Sequence, residues 1–172
     1  KSMKLGVITL PSFYMDFEAY QKGDPNYNST TRDVQRLIKE LKSEGMDGLV
    51  LDLRNNGGGS LAEAIDLTGI FIKNGPVVQV KNSANKLEIG SDDDPTVVYN
   101  GPLVVLTNRF SASASEIFAG AVQDYHRGVV VGESTYGKGT VQTVIALDKF
   151  INDPKSEVGQ LKLTFQKFYR VT

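Results

Sequence analysis

Strand-like apolar runs alternate with helix-period segments along these 172 residues, and that alternation predicts an α/β fold. Two further observations agree with it. The three helix-period segments each begin at serines or threonines that can cap them. No internal repeat or low-complexity tract interrupts the order, and the length suits one domain with a real core.

Met3–Leu10 reads as the first strand, followed by a polar, aromatic-bearing loop over Pro11–Asn28. A helix is predicted over Ser29–Glu44. Ser29 and Thr30 can cap it, with Asp33 as a capping-box partner. Val34, Leu37, Ile38 and Leu41 form its apolar stripe, and Gly45 stops it. Asn28-Ser29-Thr30 is a glycosylation sequon by pattern and is read as this cap. Gly48–Leu53 is a buried strand, and Arg54-Asn55-Asn56-Gly57-Gly58-Gly59 is a loop. Ser60–Ile72 is a second helix with Ser60 as cap and Glu63 at the box position. Pro76–Val80, Leu87–Ile89 and Thr96–Tyr99 read as short strands, and Leu103–Thr107 is the most apolar one. Ser111–Tyr125 is a third helix, Gly128–Gly132 a strand, and Thr140–Leu147 and Gln160–Val171 are strand-like.

Composition excludes several chemistries. There is no Cys, so disulfides, thiol catalysis and thiolate metal sites are out. The single histidine, His126, removes multi-histidine zinc sites, and no metal or other cofactor is called for. Lys plus Arg total 19 against 20 acidic residues, a net charge of -1, without the basic excess of a nucleic-acid or anionic-membrane binder. No stretch approaches the about 18 apolar residues of a membrane-spanning helix. The chain opens on apolar alternation without a signal peptide and ends inside a strand-like pattern. It is therefore expected to be a single core domain, residues 1–172, cut from a longer protein.

Three segments could carry chemistry. The glycine loop 54–59 lies between a strand and a helix N-terminus, where uncovered amides and the helix dipole suit a phosphate or an oxyanion; a plain tight turn is the structural alternative. Gly132–Gly139 nearly matches a phosphate-binding P-loop. Gly139 stands where that motif needs Ser or Thr, however, and the segment leads into a strand instead of a helix. What remains is Lys138 held between two glycines. The third segment, Asn108–Glu116, places Ser111, Ser113 and Ser115 between a strand and a helix. Ser113-Ala114-Ser115-Glu116 is itself a capping box, so a structural account exists beside a nucleophilic one. His126 sits at the far end of the same helix, too close behind the serines to face back at them, and is read as a helix-end residue. A serine nucleophile would then need another base, and Ser–Lys chemistry supplies one. A lysine working as a base near neutral pH must be shifted down by about 3 pH units, or ~4 kcal/mol, which burial away from carboxylates can supply. The glycines around Lys138 permit such packing.

Ser111-Ala112-Ser113-Ala114-Ser115-Glu116-Ile117, Gly132-Glu133-x-Thr135-x-Gly137-Lys138-Gly139-x-Val141-Gln142 and Asp52-Leu53-Arg54-Asn55-Asn56-Gly57-Gly58-Gly59 together resemble the carboxy-terminal processing peptidases. Gly101–Leu106 and Gln166–Val171 place the resemblance in their tail-specific branch in Gram-negative bacteria. It implies a crotonase/ClpP-like α/β core with extra C-terminal strands, and a serine endopeptidase acting through a Ser–Lys dyad and an acyl-enzyme. Ser113 falls on the nucleophile and Lys138, 25 residues later, on the general base. Gln142 falls on the glutamine that orients the lysine, and an even strand offset would place both on one face. Ala114 and Gly58 fall on the oxyanion amides. Asp124 matches an aspartate implicated in the tail-specific branch. Its expected role is structural, because a carboxylate beside Lys138 would hold the lysine charged. The implied partners are polypeptides with apolar C-terminal tails, added as an extra strand, and adaptor proteins. The implied compartment is the periplasm, with inner-membrane association. The PDZ domain and helical flanks of the family have no counterpart in these 172 residues. A non-catalytic peptide-binding module on the same fold is the alternative reading.

Overall fold

The computed structural model describes residues 2–150 and 159–172, the side chain of Lys149 excepted. In chain order the elements are β1 (Leu5–Thr9), α1 (Phe17–Gln21), α2 (Thr30–Ser43), β2 (Gly48–Asp52), α3 (Leu61–Gly69), β3 (Gly75–Asn82), β4 (Leu87–Asp92), β5 (Leu103–Thr107), α4 (Ala114–Asp124), β6 (Val129–Gly132), β7 (Thr140–Ala146) and β8 (Gln160–Tyr169), with a 3₁₀ turn over Leu147–Phe150.

They build two sheets. One is parallel with strand order β1-β2-β5-β6, and the other is antiparallel with order β4-β3-β8-β7. The parallel order never reverses, so right-handed crossovers deliver the connecting helices to one face. Ile8, Leu49, Leu51, Leu103 and Val105 on that face are buried. On the opposite face Leu5, Val7, Val129 and Val131 are exposed, with Val50 and Val104 in register between them. Between the helices and the antiparallel sheet, Phe13, Phe71 and Phe118 are fully buried. The Phe71 and Phe118 rings meet edge to face at 5.8 Å.

The predicted helices form with the expected caps. Ser29 and Ser60 side chains accept from Arg32 N–H and Glu63 N–H. Gly45, at φ 79°, closes α2 with hydrogen bonds from its own and the next N–H to Lys42 and Leu41. The predicted box partners are used elsewhere: Asp33 binds Tyr14 and Arg36, and the buried Glu63 carboxylate accepts from Thr31.

Four expectations need correction. A short helix, α1, occupies part of the Pro11–Asn28 loop, capped by Asp16 on Ala19 N–H. Thr96–Tyr99 is not a strand, because the Val98 and Tyr99 amides both donate to the Ile70 carbonyl instead of to a ladder. The second helix stops at Gly69, where the Asp92 carboxylate lies against the glycine and leaves no room for a Cβ. The third begins at Ala114 and not Ser111, since Ser113 has φ 58°.

Candidate active site

Loops leaving the carboxyl ends of β2, β5 and β6 converge. Asn55 and Asn108 exchange hydrogen bonds at 2.9 Å, and Ala112 N–H donates to the Asn56 carbonyl at 3.0 Å. Tyr136 N–H donates to the Ser111 carbonyl at 2.9 Å. Asn56 is fully buried and reaches back to Leu10 through its Nδ2 at 2.9 Å.

The three serines separate by their hydrogen bonds. Ser111 and Ser115 are fully buried, and their hydroxyls donate to the Leu53 and Asn56 carbonyls at 2.8 and 2.9 Å. Ser113 is partly exposed, and its hydroxyl makes no cap hydrogen bond. Its backbone, at φ 58° and ψ -115°, holds a conformation costing of order 1–3 kcal/mol for a residue with a side chain. Ala114, the first residue of α4, has an N–H without an intrahelical partner.

A cavity of about 190 Å³ holds Ser113, Lys138 and Gln142 together, with Ala114, Gly59, Thr140 and Lys162 also on its wall. Leu61, Ile117, Val141 and Phe168 supply its apolar part, and among the described residues no carboxylate lines it. Lys138 is half-buried, and among the described residues no hydrogen bond joins its ammonium to Ser113. The expected strand alternation from Lys138 to Gln142 does not hold. Lys138 precedes β7, and the register shifts between Val141 and Gln142. Both nevertheless reach the cavity. Gln142 Nε2 donates to Thr164 Oγ1 at 3.2 Å, which leaves its carbonyl oxygen as an acceptor.

Glu116 does more than its capping position suggested. One carboxylate oxygen accepts from Ser113 N–H at 2.7 Å and Lys138 N–H at 2.9 Å, and the other from Gly137 N–H at 2.6 Å and Thr135 Oγ1 at 2.8 Å. A single side chain thus ties the serine turn to the lysine loop. The capping-box pattern found this residue, but a pattern within one helix carries no signal for its three long-range donors. Glu116 faces a second cavity of about 500 Å³ on the other side of Lys138.

The glycine loop packs directly on the serine turn. A Cβ on Gly58 would stand 2.7 Å from the Ala112 carbonyl oxygen and 2.8 Å from Ser113 Cβ. Gly58 was expected to offer an oxyanion amide, but its N–H donates to Asn56 Oδ1 at 2.9 Å, and Gly59 is the glycine on the cavity wall. The Asn56 side chain that captures this amide is itself fully buried.

Asp124 lies apart from the cavity, roughly 16 Å from Ser113 along α4 at 1.5 Å per residue. Its side chain is 4% exposed and paired with Arg170. Burial pushes its carboxyl up, but hydrogen bonds from Arg170 and Thr172 and the Arg170 charge outweigh that and hold it below the usual carboxylate range. His126 occupies the left-handed position after α4, at φ 49°. Its N–H and that of Arg127 bond to Gln123 and Val122, the hydrogen bonds of a helix stop.

The model of Peptidase family S41 matches residues 4–172. The tail-specific protease of Haemophilus influenzae is 46% identical over 167 residues, covering 97% of this chain and 22% of that protein. The chloroplastic C-terminal processing peptidase of Tetradesmus obliquus is 42% identical over 120 residues, 70% of this chain and 26% of that protein. Among solved structures, the photosystem II D1 C-terminal processing protease superposes with a TM-score of 0.74 at 34% identity, over 96% of this chain and 38% of its own. The chain therefore spans only about a quarter of the length of these curated relatives.

Proposed function

The chain belongs to peptidase family S41, and from that premise we propose that it is the catalytic core of a serine endopeptidase. Ser113 would be the nucleophile and Lys138 the general base. The observation that carries the reading is the shared cavity of Ser113, Lys138 and Gln142, with Ser113 the one serine of its loop not committed to a backbone carbonyl.

In this mechanism a neutral Lys138 takes the Ser113 hydroxyl proton as Oγ attacks the peptide carbonyl. The oxyanion is held by Ala114 N–H and a glycine-loop amide; Gly58 serves if its bond to Asn56 is exchanged for the oxyanion. The protonated Lys138 then gives its proton to the leaving amine. Lys138 next deprotonates a water that hydrolyses the acyl-enzyme, and the serine is regenerated. The Gln142 carbonyl oxygen accepts from the lysine amine and orients it. No hydrogen bond joins Lys138 to Ser113 at rest, so in this reading substrate binding brings the two together within the cavity they share. Asp124 serves by holding Arg170 and the end of β8 to α4.

The substrates in this reading are polypeptides with apolar C-terminal tails. The tails would be captured by a PDZ domain elsewhere in a longer protein, with adaptor proteins assisting, and the compartment is the periplasm. Among the described residues no helix is long and apolar enough to cross a membrane. The test uses the full-length protein and an unfolded substrate ending in apolar residues. Wild type should cleave it, and Ser113→Ala and Lys138→Ala should not. Cleavage by both variants at the wild-type rate overturns the dyad.

A further inference from the structure

The dyad cavity contains a second lysine that the catalytic scheme does not use. Lys162 lies on β8 opposite Val144 of β7, one same-face step from the Thr164–Gln142 pair. Same-face residues on a strand stand about 6.6 Å apart, so Gln142, Thr164, Val144 and Lys162 form one continuous ribbon surface beside Ser113. The Lys162 ammonium has no ion-pair or hydrogen-bond partner among the described residues. Among the described residues no carboxylate lines the cavity, and the nearby Glu116 is taken by four donors and faces the neighbouring cavity. An unpaired, solvent-exposed ammonium therefore shares a cavity wall with Ser113.

We propose that Lys162 is a specificity-determining residue, receiving an acidic side chain of the substrate close to the scissile bond. The inference rests on the proteolytic reading above. It assigns a charge preference to the cavity that is separate from recognition of the apolar tail.

The test is a set of unfolded substrates with one cleavage site and one tail, in which each position within four residues of the scissile bond carries Glu, Gln or Lys in turn. The full-length protein is assayed for kcat/KM at low salt. At one position wild type should prefer Glu to Lys by about threefold or more, the range of a partly exposed ion pair. Lys162→Gln should bring that ratio close to one, and Lys162→Glu should invert it, each ratio being read within one variant. A Glu-to-Lys ratio in both variants equal to that of wild type, with cleavage intact, overturns the assignment of Lys162 alone. Absence of cleavage by wild type above the Ser113→Ala background overturns the proteolytic reading and this inference together.

Discussion

Replacing Glu116 with Gln changes one oxygen into an NH2 group and almost nothing in volume. Whichever side the amide nitrogen takes, it meets two donors in place of an acceptor. These are either Ser113 N–H and Lys138 N–H, or Gly137 N–H and the Thr135 hydroxyl. Two charge-assisted hydrogen bonds are lost, each about 1.5–3 kcal/mol, and water can replace part of that because Gly137 is exposed. A net cost of about 2–4 kcal/mol on the closed arrangement of the two loops follows. If the open arrangement cannot transfer the serine proton, that cost appears in kcat as a fall of about 30-fold to 1000-fold. Binding of the substrate tail does not pass through these bonds, so KM should change little. The assay is steady-state cleavage of an unfolded, apolar-tailed substrate by full-length protein, alongside thermal melting of the same samples. A Glu116→Gln enzyme within about twofold of the wild-type kcat would refute the idea that this carboxylate aligns serine and lysine.

The glycine loop predicts a graded series. Gly57→Ala should be tolerated, since nothing lies within 4 Å of the added Cβ. Gly58→Ala should abolish cleavage, because its Cβ meets backbone at 2.7 Å and φ is 100°. Gly59→Ala should lower the melting temperature most, with the Phe13 carbonyl oxygen only 2.2 Å away. Burial, joined by the charges of Asp93 and Asp94, raises the Asp92 carboxyl above its usual range despite a bond from Asp94 N–H. The folded state then holds more protons than the unfolded one across that window, and stability falls as pH rises through it. Asp92→Asn should accordingly raise the urea midpoint at pH 7, and the gain should shrink towards pH 3. Asp124 has the opposite sign. Its lowered carboxyl adds stability that is present above the ordinary carboxylate range and lost as pH falls through the folded value. Asp124→Asn should therefore cost about 1–2 kcal/mol at neutral pH and flatten the acid limb of the stability curve.

What was legible in the sequence was local. Ser29, Ser60 and Gly45 announce helix ends through chemistry confined to a few neighbouring residues, and the structure uses them as read. Thr96–Tyr99 misled because a short run of β-branched and aromatic residues also suits a segment in which the Val98 and Tyr99 amides bind a single distant carbonyl, that of Ile70. Asp33 and Glu63 stand at box positions, but Tyr14 and Thr31 compete for their carboxylates from other elements. The split into a parallel and an antiparallel sheet could not be read from periodicity, which carries strand identity and not strand partners. At the site, ordered motifs named Ser113 and Lys138. The role of Glu116 as their common acceptor needed coordinates, because its donors lie as far as 22 residues away. Gly58 packs against the serine turn, while the Asn56 side chain that holds its amide gave no local sign.

The Glu116 clamp also bears on how a cell can make such a chain safely. The serine turn and the lysine loop come from different crossovers, and one carboxylate must find donors in both before they line up. A partly synthesised or partly folded chain has the serine but lacks the finished geometry that would arm it. On the proteolytic reading, competence to cut depends on these loop contacts, which can open before the rest of the fold does. Heat, acid or a destabilising substitution should extinguish cleavage before it unfolds the helices, which makes loss of activity the earliest reporter of a loosening core.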